Sequence, residues 1–144
     1  MRNYLLNGHT EIFGTEIGTL IYGAGKGIIR SFQDFELCAE PYMKHPENTI
    51  YYFGDLDYEG IGIYENLEEK FRGRWKIIPF VPAYQAMLGK AEQITELPET
   101  KEHQNRNIST QFFSCFDEIM VKKMEAVLEK DRYIPQEILN TADF

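Results

Sequence analysis

The stretch that decides the fold is Tyr51-Tyr52-Phe53-Gly54-Asp55-Leu56-Asp57-Tyr58-Glu59-Gly60. An apolar run beginning at Thr49 ends in glycine, two aspartates two positions apart follow, and a helical pattern begins. Side chains alternate across a strand, so residues i and i+2 point the same way. Asp55 and Asp57 are therefore expected to project together just past the carboxyl end of a strand. In open parallel sheets that edge is where ligands bind. Two adjacent carboxylates repel unless a cation sits between them, and hard oxygen ligands with open positions suit Mg²⁺ or Mn²⁺. A plainer role competes with this one. Asp57 can cap the following helix and Glu59 can complement its dipole, which accounts for Asp57 but not for Asp55.

Two further β-type runs flank this one: Thr19-Leu20-Ile21-Tyr22 before it and Trp75-Lys76-Ile77-Ile78-Pro79-Phe80 after it. The first two runs are continuous and apolar, as strands buried on both faces of a parallel sheet are. Helical patterns lie between the runs. Ile28, Phe32 and Phe35 recur at i, i+4, i+7, and Gly60, Tyr64, Leu67 and Phe71 form a second stripe with Ile63 beside it. A third helix is expected after Pro82, whose fixed φ suits a first turn. Strand–helix–strand–helix–strand order predicts right-handed crossovers and an α/β fold: a parallel sheet of strands near 19–22, 49–54 and 75–80 with helices on both faces.

The polar stretch from Glu92 to Asn107 reads as an exposed loop. A long helix is expected over about 110–130, with Phe113, Phe116, Met120, Met124 and Val127 on one side, and Pro135 can start a short helix through Leu139. Phe112, Phe113 and Phe116 read as core. Tyr4-Leu5-Leu6 resembles the end of a helix with nothing before it.

The 144 residues suit one domain spanning 1–144. With 43% hydrophobic and 26% charged residues the composition is that of a folded chain. No apolar run approaches the ~20 residues that span a bilayer, and the polar N-terminus does not read as a secretory signal. Cys38 and Cys115 lie far apart, which points to two buried thiols in a reduced, cytoplasmic protein. His9, His45 and His103 read as separate surface residues. The formal net charge of -8 offers no broad basic face for duplex DNA but permits metal binding. Gly23-Ala24-Gly25-Lys26-Gly27 lacks the spacing of a phosphate loop and reads as a tight strand-to-helix turn.

The stretch from Thr49 to Leu67 resembles the Gly-Asp-x-Asp-x-x-Gly element of Toprim domains. It is most similar to the C-terminal Toprim-like domain of the Wadjet defence subunit JetD family, itself related to the A subunit of topoisomerase VI. Leu20 to Gly25 resembles that family's preceding strand and Gly-rich turn, and Arg132 to Glu137 resembles its terminal Gln-Glu element. The resemblance implies a Toprim-like, Rossmann-like sheet in which Asp55 and Asp57 bind Mg²⁺ or Mn²⁺, with Asp55, Asp57 and Glu137 as catalytic residues. It implies an endonuclease or topoisomerase-like role in a larger DNA-processing protein, with DNA and the partner subunits of a defence complex as its partners and no membrane. The family's glutamate at the end of the first strand has no counterpart, since Glu11 and Glu16 follow no apolar strand. The expectation is thus an N-terminally truncated fragment that lacks the first strand, a poor nuclease by itself, with an open sheet edge that favours a homodimer. The competing expectation is a non-catalytic interaction module whose acidic pair is vestigial.

Overall fold

A computed structural model describes residues 8–144; the segment Tyr4-Leu5-Leu6 lies outside the described residues. The chain is a mixed α/β fold with small sheets and several helices. Among the described residues no helix is long and apolar enough to cross a membrane.

The expected parallel pairing forms between the second and third β-type runs. Labelling elements in chain order, β3 (Thr49–Tyr52) pairs in parallel with β4 (Lys76–Pro79), in the register Ile50 with Ile77 and Tyr51 with Ile78. Helix α3 (Tyr58–Phe71) makes the crossover. Its apolar stripe is the reason it folds there: Gly60, Ile63, Tyr64, Leu67 and Phe71 are all buried. Helix α4 (Val81–Ala91) follows at once, with Pro82 in its first turn and Tyr84, Met87 and Leu88 buried.

The expected strand at 19–22 does not form. Leu20, Ile21 and Tyr22 are 42%, 39% and 86% exposed, and among the described residues their backbone pairs with no strand. Apolar and β-branched residues favour a pleated surface, but a strand needs a ladder partner, and tertiary context withholds one here. A short antiparallel hairpin stands upstream instead, β1 (Glu11–Ile12) with β2 (Thr15–Glu16). Its turn residues Phe13 and Gly14 both have positive φ, 50° and 71°, as a two-residue hairpin turn requires. Phe13 accepts this because its ring packs against Phe80 and Phe144, with centroids 6.2 and 5.6 Å away. Ile12, buried with Phe80, Ala83 and Leu139, anchors the hairpin in a second small core.

The stripe of Ile28, Phe32 and Phe35 is helical but broken. Helix α1 (Gly27–Ser31) and helix α2 (Phe35–Cys38) are separated by a 3₁₀ turn at Phe32–Asp34. The long helix expected over 110–130 is shorter: α5 spans Glu118–Glu129. Phe116 is extended, and Asp117 caps the helix by accepting from the Met120 amide at 2.8 Å. The aromatics before it form a 3₁₀ turn at Phe113–Cys115, and Phe112 is fully buried among Tyr64, Tyr84 and Phe116. The cysteines are not the two buried thiols expected: Cys38 is exposed at the end of a helix with no buried residue, and Cys115 is half-buried.

Candidate metal centre

The Asp-x-Asp segment is positioned by a contact between residues remote in sequence. Just past β3, Leu56 and Ile134 form an antiparallel bridge: the Leu56 amide donates to the Ile134 carbonyl at 2.8 Å and the Ile134 amide returns the bond at 3.2 Å. Both side chains are fully buried. This clamp carries the C-terminal segment alongside the motif, and its next turn (Gln136–Ile138, 3₁₀) begins over Asp55. The Gln136 amide donates to Asp55 Oδ1 at 2.9 Å, across 81 positions of sequence. Glu137, the third predicted site residue, is exposed on the same turn and close enough to act on Asp55 electrostatically.

Asp57 is 3% exposed, the one charged residue in the core among the described residues. Its Oδ1 caps α3 by accepting from the Gly60 amide at 2.6 Å, and its Oδ2 accepts from Gln104 Nε2 at 2.6 Å. The cap expected on helix-terminus grounds is therefore present. Gly60 has no room for a side chain: a Cβ there would meet the Asp55 carbonyl oxygen at 2.2 Å and Asp57 Oδ1 at 3.1 Å. The glycine lets the helix start directly under the aspartates.

Asp55 differs from Asp57. Only Oδ1 is hydrogen-bonded among the described residues, and the residue is half-buried. Burial raises its carboxyl above the ordinary range; the Gln136 N–H pulls it down, Asp57 and Glu137 push it up, and Lys101 pulls it down. Two tyrosines support the segment from below. Tyr52 donates its hydroxyl to the Gly60 carbonyl at 2.8 Å, and Tyr84 accepts from the Gly54 amide at 3.2 Å. Burial, reinforced for Tyr52 by Asp57, Asp55 and Glu59 and for Tyr84 by Tyr52, raises both phenols, so they act as neutral hydroxyls.

The Gly-rich turn reaches the same place. Lys26 Nζ lies 3.0 Å from Glu59 Oε2, in the first turn of α3. Gly23 to Gly25, Gly54, Asp55, Asp57, Gln136 and Glu137 all line one cleft of about 940 Å³. The three motif pieces legible in the sequence are thus neighbours in space. Sequence reading passed over two further residues. Lys101 lines the cleft, and Gln104 holds Asp57 while its own Oε1 is buried without a partner among the described residues. Both come from the polar stretch read as a loop, where no periodicity marks one residue above another.

Among the described residues no group of three or more His, Cys, Asp or Glu is arranged to hold a metal ion. Mg²⁺ keeps several waters and takes one or two carboxylates plus phosphate oxygens, not a full protein cage. Asp55, with one carboxylate oxygen unbonded among the described residues, has the chemistry of such a ligand. Comparison with protein-family models, with curated proteins and with solved structures finds no match to this chain.

Proposed function

We propose that this chain is a Toprim-like, metal-binding domain of a DNA-processing protein of the endonuclease or topoisomerase type. The observation that carries the reading is the bond from the Gln136 amide to Asp55 Oδ1. It joins the terminal Gln-Glu element to the Asp-x-Asp element, which sequence alone could only place in order. On this reading Asp55 and Asp57 hold Mg²⁺ or Mn²⁺, and Glu137 stands at the open side of the site. A bound divalent ion supplies charge stabilisation at a phosphate and its leaving oxygen. The chain's own residues do the rest. Gln136 orients Asp55 through its backbone, and Gln104 and Gly60 fix Asp57. Tyr52 and Tyr84 hold the Gly54 to Gly60 loop in place. The acidic balance leaves broad DNA contact to other domains or partner subunits, such as those of a defence complex.

One observation favours the alternative, a non-catalytic interaction module with a vestigial acidic pair. Both oxygens of Asp57 are already engaged inside the protein. Calorimetric titration with Mg²⁺ and Mn²⁺ separates the two. The metal reading expects binding in the wild type that Asp55→Asn abolishes and Asp57→Asn weakens. Wild-type heats indistinguishable from those of Asp55→Asn would overturn the metal reading and leave the non-catalytic alternative.

A further inference from the structure

Among the described residues the cleft is lined by six carboxylates, those of Glu16, Glu47, Asp55, Asp57, Glu59 and Glu137, and by one cationic side chain, Lys101. A lysine among so many carboxylates ordinarily pairs with one. Lys101 forms no ion pair among the described residues; instead Nζ stands 5.6 Å from the centroid of the Tyr133 ring. Such a contact positions an ammonium without neutralising it. Three other basic side chains of the region are committed. Lys26 pairs with Glu59, Arg106 with Asp131, and Arg132 with Glu96, Glu99 and the Leu97 carbonyl.

The loop that carries Lys101 is tied at several points. Glu99 bridges Arg132, the Thr100 amide donates to the Asp131 carbonyl at 2.8 Å, and Gln104 reaches Asp57. The lysine therefore stands at a defined place on the cleft rim, near enough to Asp55 to act on its carboxyl. An uncommitted ammonium is a compact, strongly hydrated point charge of the kind that binds phosphate.

We propose that Lys101 binds a backbone phosphate of a nucleic-acid substrate in this cleft, next to the cation held by Asp55. The assignment rests on the metal-binding reading of the site and adds a substrate contact to it. The competing role is a structural counter-charge for Asp55 and Glu137, and the two roles differ in what they change.

The test measures binding of a fluorescein-labelled single-stranded oligonucleotide to the purified chain by anisotropy, in Mg²⁺ and over a range of salt. Wild type, Lys101→Gln and Lys101→Arg are compared, with Mg²⁺ calorimetry and thermal unfolding on each. Lys101→Gln removes a charged hydrogen bond and is expected to weaken oligonucleotide binding about tenfold or more. Removing one phosphate contact also flattens the salt slope by about 0.7. Lys101→Arg keeps most of the affinity, and Mg²⁺ affinity is unchanged or higher in Lys101→Gln. Unaltered oligonucleotide affinity and slope in Lys101→Gln would overturn the assignment while leaving the metal reading intact. So would a lowered unfolding temperature as its sole effect. A wild type that binds the oligonucleotide equally well with and without Mg²⁺, and gives no Mg²⁺ heat, would overturn the metal reading and with it the placement beside a cation.

Discussion

Two glycines in α3, two positions apart, should respond to alanine in opposite directions. At position 60 the new Cβ would lie 2.2 Å from the Asp55 carbonyl oxygen, while at position 62 it meets nothing within 4 Å. Nonbonded carbon contacts settle near 3.5 Å, so Gly60→Ala requires a shift of about 1 Å between the helix start and the Asp55 peptide. That shift strains the 2.6 Å cap bond from the Gly60 amide to Asp57, and losing a cap costs about 1 kcal/mol. Overpacking adds about 1–3 kcal/mol, and alanine's better helix propensity offsets about 1 kcal/mol. The net expectation is a destabilisation of about 1–3 kcal/mol for Gly60→Ala. Gly62→Ala keeps the propensity gain alone and should stabilise by about 0.5–1 kcal/mol. For a chain of this size the first lowers Tm by roughly 3–10 °C and the second raises it by roughly 2–3 °C. Circular dichroism melts of the two variants under one set of conditions give the comparison. Equal Tm values for both would refute the close approach of α3 to the aspartate loop. Gly60→Ala should also weaken any divalent-ion binding at Asp55, which Gly62→Ala leaves alone.

The remaining predictions concern the same loop. The Asp55 carboxyl, raised chiefly by burial, stabilises the fold while protonated; that contribution is full below the unfolded carboxyl value of about 3.9 and is lost as pH rises through the higher folded value. Asp55→Asn should therefore raise Tm at about pH 7 and change it little at about pH 3, and an equal change at both would contradict the burial argument. Tyr84→Phe removes the acceptor of the Gly54 amide, whose bond is 3.2 Å. An unpaired buried amide costs about 1–3 kcal/mol, so for the half-buried Gly54 amide urea unfolding should show a loss of about 1 kcal/mol, and wild-type stability would mean that the amide finds another partner.

What the sequence determined by itself lies in local chemistry. The stripe of Tyr64, Leu67 and Phe71, the proline in the first turn of α4 and the cap at Asp57 were legible because each depends on residues within a few positions. The apolar runs that became β3 and β4 were legible for the same reason. The start of α5 at Asp117 was missed, because the aromatic spacing before it suggested a longer helix. Other features only the tertiary structure decided. Leu20-Ile21-Tyr22 has strand-like composition, but a strand exists through its partner, and the fold gives this run none among the described residues. The division of labour between the two aspartates was equally hidden. Alternation along a strand treats Asp55 and Asp57 alike. The Leu56–Ile134 bridge and the reach of Gln104 bury one with both oxygens bonded and leave the other, among the described residues, with one unbonded. Those partners lie tens of residues away, where hydrophobic burial of the intervening chain, not local propensity, sets who meets whom. Lys101 belongs to the same class, because its place among carboxylates is a property of the cleft, not of the loop that carries it.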